Sequence, residues 1–209
     1  MRPALEMRQD NCKAATGAGI LYMKVGTHAR ETLDDIIRRK TREIEEAGVA
    51  FWGYGGNTCH PENMVQPFAK DYQERGQTVL LCMHPMDSKH FAHPVRADEF
   101  SINGITWEII PAAINVLGSR YALVIKNLRK DNFDLPLDLT QVALGNSIGS
   151  SGSNYIKGRV DKACLQVVGD IGARRFGDDG ADDPREARHI GLVADLAAPY
   201  AVYLRNIVN

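Results

Sequence analysis

Apolar and polar positions along the chain follow two periods. Residues 20–26 (ILYMKVG) form a short apolar run closed by glycine, which predicts a buried strand. Behind it, Leu33, Ile36, Ile37 and Ile44 are spaced as one face of a helix. Asp34, Arg38, Arg39, Arg42 and Glu45 cover the other side, which predicts a solvated face with Asp34, Asp35 and Glu46 as partner acids. The pattern places this helix at 29–47, with Thr27 as its cap and Gly48 as the left-handed residue after its last turn. Residues 49–54 (VAFWGY) predict a second strand. The opening therefore reads β–α–β, and a connection of this length permits a parallel pair with the helix over one sheet face.

A breaker-rich loop follows at 55–61, then a short helical pattern at 64–75 interrupted by Pro67. Residues 77–84 (QTVLLCMH) predict a third buried strand, and 85–100, with Pro85 and Pro94, an excursion loop. Short strands are predicted at 102–110, 114–117, 121–128 and 133–144, with Asn103 followed by Gly104 as a hairpin signal. Leu135, Leu137 and Leu139 alternate with Pro136 and Asp138, as in a half-buried or edge strand. A Gly/Ser loop occupies 145–153. Residues 154–168 predict a helix that turns Ile156, Val160, Ala163, Cys164 and Val167 inward. The polar stretch 169–188, acidic at 178–183, reads as a surface loop, and 190–196 and 200–208 as closing strands around Pro199. Together these elements predict an α+β fold: a single domain over 19–209, behind a loosely ordered arm at 1–18. It would hold a mixed β-sheet with a β–α–β opening, several short antiparallel strands and two or three packed helices.

Composition narrows the function classes. The chain has 209 residues, 44% hydrophobic and 24% charged, which excludes a disordered, collagen-like or coiled-coil chain. The longest strongly apolar run, 79–83, falls far short of the ~20 residues that span a bilayer. The N-terminal residues lack the apolar core of a signal peptide. A soluble cytoplasmic protein without a membrane partner is expected. With 25 basic and 26 acidic residues there is no charge excess to coat an extended nucleic acid. Cys12, Cys59, Cys82 and Cys164 are widely spaced and form no CxxC pair, so no disulfide framework is predicted.

Two glycine-rich segments carry candidate chemistry. In 145–159 (GNSIGSSGSNYIKGR), glycines let the backbone approach an anion, and Ser147, Ser150, Ser151 and Ser153 add hydroxyl donors. Lys157 and Arg159 lie one turn into the predicted helix and would neutralise a phosphate. The P-loop and dinucleotide patterns are absent, and the competing reading is a flexible loop before a capped helix. In 51–57 (FWGYGGN), the alternation turns Trp52 and Tyr54 to one side of a strand end. Gly55 and Gly56 open room beside the rings, and Asn57 offers a polar edge. A nucleobase would stack there, against the competing reading that both rings are core residues above a tight turn. Lys24, His28 and Arg120 are further basic candidates near strand ends.

Cys59, His60, Cys82, His84, His90 and His93 cluster in sequence, yet match no established zinc spacing, and no metal site is assigned. No nucleophile elbow or acid–base pair is recognisable, so no catalytic residue and no cofactor are assigned. The resulting expectation is a protein that senses or sequesters a phosphorylated small molecule, a nucleotide or nucleotide-derived signal. The alternatives are a nucleotide or phosphoester hydrolase or lyase working through His60, His84 or His90, and a protein-interaction module. A homo-oligomer is compatible with the sequence.

Overall fold

The computed structural model of the protein describes residues 16–90 (backbone alone at 88–90), 93–157, 160–169 and 187–206. The first apolar run forms β1 (Gly19–His28), and the helical face forms α1 (Leu33–Ala47) ahead of β2 (Ala50–Tyr54). Ala29 and Arg30 take positive φ between β1 and α1, so the helix starts later than its periodicity predicts. Thr32 replaces Thr27 as the cap, its hydroxyl accepting from the Asp35 amide at 3.2 Å. Gly48 ends the helix at φ 78°, as expected.

Residues Pro61–Val65 make a π-helical turn that runs straight into α2 (Gln66–Glu74). Pro67 falls in the first turn of α2, where a helix tolerates a missing amide, so it causes no interruption. β3 (Leu80–His90) outruns its predicted end at 84 by pairing with β1 through Pro85, beyond the stretch that pairs with β9. The predicted hairpin forms between β4 (Glu99–Ser101) and β5 (Glu108–Ile109). Its turn is longer than two residues because the Asn103 side chain accepts from the Ile105 and Thr106 amides, both at 2.9 Å. Residues 114–117 form no strand, only a bridge between Arg96 and Leu117. β6 (Tyr121–Pro136) fuses two predicted strands, and β7 (Thr140–Val142) follows a short 3₁₀ turn. β9 (Ala187–Arg205) likewise runs through the predicted break at Pro199.

The largest departure lies at 154–168. The helix there, α3, spans only Gly152–Ile156, and Lys162–Val167 form the strand β8. The apolar positions of 154–168 fit a helical spacing, but they also alternate. Ala163, Leu165 and Val167 enter one core and Cys164 the opposite one. Pairing with β1 selects the period of two. Gly17 and Ala18, placed in the predicted arm, extend that pairing through bonds to Val167 at 2.8 and 3.0 Å.

Among the described residues, nine strands form one mixed sheet in the order β2-β6-β9-β3-β1-β8-β7, with β4 attached to β9 and β5 to β4. The α+β class is as expected. The β–α–β opening does not make its own parallel pair, because both sides of β1 are occupied. β3 lies parallel on one side and β8 antiparallel on the other, while β2 pairs antiparallel with β6. Strand parity sorts side chains into separate cores. Leu21, Met23, Leu81, Met83, Trp52, Tyr54 and Leu123 share one with α1 and α2. Ile20, Tyr22, Cys82 and Leu165 pack on the other face under the 3₁₀ turn and α3, and Phe51, Ala122 and Val124 pack under the 97–116 segment. A fully buried aliphatic side chain of this kind contributes about 1.5–3 kcal/mol. Among the described residues no helix is long and apolar enough to cross a membrane.

Candidate functional site

Where the first core meets the ends of β1 and β2, it opens into a cavity of about 490 Å³. Residues 23–28 of β1 form one wall, residues 52–56 a second, and Ile36, Arg39 and Lys40 of α1 a third. Met86, the 116–119 segment, Asp161 and Lys162 complete it. This size lies within the range of small-molecule sites.

The aromatic wall follows from alternation on β2. Trp52 and Tyr54 project to the same side, as their spacing predicts, and both are core residues as well as cavity walls. The Tyr54 hydroxyl donates to the Cys59 carbonyl at 2.7 Å, which fixes the ring. Burial raises its phenol pKa, so Tyr54 acts as a neutral donor. Gly53, between the rings, allows a close approach: a Cβ there would stand 2.3 Å from the Ser119 hydroxyl and 2.9 Å from Val116. His28 Nε2 lies 3.1 Å from the Leu117 carbonyl and holds β1 to the same segment.

Beneath the cavity, α1 buries charge. Lys40 and Glu43 are each only 2% exposed. The Lys40 ammonium donates to both Glu43 carboxylate oxygens at 2.9 Å and to the Asn115 carbonyl at 2.8 Å. Glu43 also accepts from the Asn115 amide at 3.1 Å and from the Phe51 amide, on the edge strand β2, at 3.4 Å. Arg39 bonds Glu31, Glu43 and the Asn115 carbonyl. Burial pushes the Lys40 pKa down to about 8, with Glu43 opposing the shift. The expectation of a solvated charged face thus holds for Arg38, paired with Asp35 at 3.3 Å on the surface, and fails for Arg39. The reason is positional: Ile36, Lys40 and Glu43 lie four and three residues apart on the stripe that faces the sheet.

Lys162 is the cationic wall residue that the sequence reading missed. It shares strand parity with core-facing Cys164, so β8 aims it at the first core, at the point where that core opens. Lys162 is 7% exposed, and its ammonium stands 5.8 Å from the Tyr54 ring centroid. A Cβ on Gly56, a residue at φ 86°, would lie 3.5 Å from the same nitrogen. Lys24, on the opposite parity of β1, sits at the rim in an ion pair with Asp161 at 3.7 Å.

The structure brings together Trp52, Tyr54, Gly55 and Gly56 with Lys24 and His28. Asn57 is exposed in the following loop, and Arg120 stacks over Tyr121 outside the cavity. Ser147, Ser150, Ser151, Ser153 and Lys157 do not line it. Their loop closes on its own strand instead: the Gly149 amide donates to the Val142 carbonyl, the Val142 amide to the Ser150 carbonyl, and Ser151 bridges Gln141. Arg159, Cys12, the acidic segment 178–183 and the His90 side chain lie outside the described residues.

The Cys/His cluster is dispersed. Cys59 meets Cys164, with sulfurs 4.0 Å apart, and the hydrogen bond between them together with burial raises the Cys164 pKa. Cys82 faces the opposite core, His60 packs edge-on against Tyr121, and His84 bonds the His189 carbonyl at 2.7 Å. Among the described residues no three His, Cys, Asp or Glu side chains converge as metal ligands. No protein-family model, curated protein or solved structure matches the chain.

Proposed function

We propose that the protein binds a phosphorylated small molecule with a flat ring, of the nucleotide class, in the cavity between β1, α1 and β2, and that it acts in the cytoplasm by sensing or sequestering this ligand. One observation carries the reading: Trp52, Tyr54 and the near-buried Lys162 line the same cavity. The ring would lie against the apolar wall of Trp52, Tyr54, Met23 and Met86, and the anionic end would reach Lys162. The anion end thus moves from the 147–159 segment to β8. Cys59 and Cys164 are thiols with sulfurs 4.0 Å apart and no bond between them, which suits a reducing compartment. No residue is given a catalytic role.

The chain holds two tryptophans, Trp52 and Trp107, so Trp107→Phe leaves Trp52 as the only indole. Titrating this variant with purine and pyrimidine nucleotides should give a saturable change in Trp52 emission, with matching heats in calorimetry of the unaltered protein. Lys157→Ala should leave both unchanged. Absence of any saturable signal at millimolar nucleotide in both measurements overturns the proposal.

A further inference from the structure

We infer that the cavity selects ligands with a single phosphate group over di- and triphosphates. This inference rests on the nucleotide reading above and adds a charge limit to it.

The limit comes from the pairing of the charges on the cavity wall. Lys24 is matched by Asp161. Arg39 is matched by Glu31 and Glu43, and Lys40 by Glu43. Lys162 also lines the wall, and among the described residues it has neither a carboxylate partner nor a hydrogen bond; its one polar contact is the Tyr54 ring. The Lys162 stem is buried while its ammonium opens onto the cavity, where an anion supplies the missing partner. The other cations are already neutralised by acids that would repel added negative charge. One of these pairs is rigidly built, since Lys40 and Glu43 are engaged with each other and with Asn115. A second or third phosphate would therefore enter without a partner, close to Asp161, and would have to shed water to do so. The volume of about 490 Å³ does not itself exclude the longer ligands, so charge decides.

The test is calorimetry of the full chain with five probes sharing one base: the nucleoside, its 3′,5′-cyclic monophosphate, and its 5′-mono-, di- and triphosphates. The series is run for adenine, guanine, cytosine and uracil. The best one-phosphate probe should bind at least tenfold tighter than both its nucleoside and its triphosphate. Lys162→Met should bring that probe to the affinity of the nucleoside, and Lys162→Gln should do the same if the first variant folds poorly. A triphosphate that binds as tightly as the monophosphate, or more tightly, overturns the charge limit while leaving the nucleotide reading intact. If no probe binds, nucleosides included, the nucleotide reading itself falls and takes the inference with it.

Discussion

The segments 51–57 and 145–157 look alike as text, since each mixes glycines with polar or aromatic residues beside a regular element. They do different physical work. In the first, Gly53 lets the 116–119 segment lie against β2, and Gly55 and Gly56 line open space next to Lys162. In the second, a Cβ on Gly152 would stand 2.0 Å from the Thr140 hydroxyl and 2.8 Å from the Leu137 carbonyl. Gly152 lets α3 pack on the 3₁₀ turn, and the Ser150 and Tyr155 amides bond the Ser147 and Ser151 carbonyls. Glycine therefore marks close approach in both segments, and what approaches is decided by the elements that surround it. A loop that closes on its own strand, as the Gly149 amide and the Ser150 carbonyl do on Val142, turns those groups away from any shared cavity. The end of β2 instead borders a cavity shared with β1 and α1.

The strongest way to break this contrast is through the charges under the cavity. Glu43→Gln leaves the Lys40 ammonium buried without its counter-ion. The loss should be about 3–5 kcal/mol, read as a lower urea midpoint. A loss below about 1 kcal/mol would mean that the buried network does not hold this wall, and the contrast with the self-bonded loop would fail.

The next effect sharpens the comparison through pH. Tyr22, in the core beneath α3, has its phenol pKa raised from 10.0 to about 12, with burial as the main cause. The folded protein thus holds this proton more tightly than the unfolded chain does. The stability it contributes is intact below pH 10.0 and is lost as pH rises toward 12. Lys40 works in the opposite direction. Its lowered pKa makes the unfolded chain the tighter proton binder between about 8 and 10.5, so its share of stability grows through that window. Circular dichroism with urea at stepped pH should show a decline above 10. Tyr22→Phe should recover about 2–3 kcal/mol of that decline near pH 12, as a shift of two pKa units requires. An unchanged alkaline limb in Tyr22→Phe would refute the assignment.

The finest distinction is between the two close-approach glycines. Gly53→Ala and Gly152→Ala should each cost about 1–3 kcal/mol by overpacking, with similar falls in urea midpoint. Only Gly53→Ala should also alter the response of Trp52 to nucleotide, because only Gly53 adjoins the cavity. Equal effects of both variants on Trp52 emission would erase the functional difference between the segments.

Much of the fold was legible in the sequence. The apolar run at 20–26, the helical face of Leu33, Ile36, Ile37 and Ile44, and the alternation of Trp52 and Tyr54 are each local patterns. Burial on one side enforces them, so β1, α1 and β2 form in those stretches, with the start of α1 displaced. The ring-bearing half of the candidate site was legible for the same reason, as were Lys24 and His28 at a strand end. Lys162 was hidden because its segment fits two periods, and a helix at 154–168 would turn it elsewhere. Only the ladder with β1 selects the strand and aims that side chain at the cavity. Lys40 carried a faint signal, a lysine within an apolar helical stripe, but its meaning depended on Glu43, Asn115 and the edge of β2 arriving together.

The chain by itself determined β1, α1 and β2, since those elements rest on side-chain spacing and on residues a few positions apart, whereas 162–167 needed its neighbour β1 to become a strand. Only the tertiary structure decided which strands are neighbours, and with them which residues share a cavity. β1 could have paired with β2; it is flanked instead by β3 and β8, because sheet edges are filled by long-range hydrogen bonding that no local pattern encodes. That pairing brings Lys162 to the rings of β2, while Ser150 and Ser151 stay paired with β7.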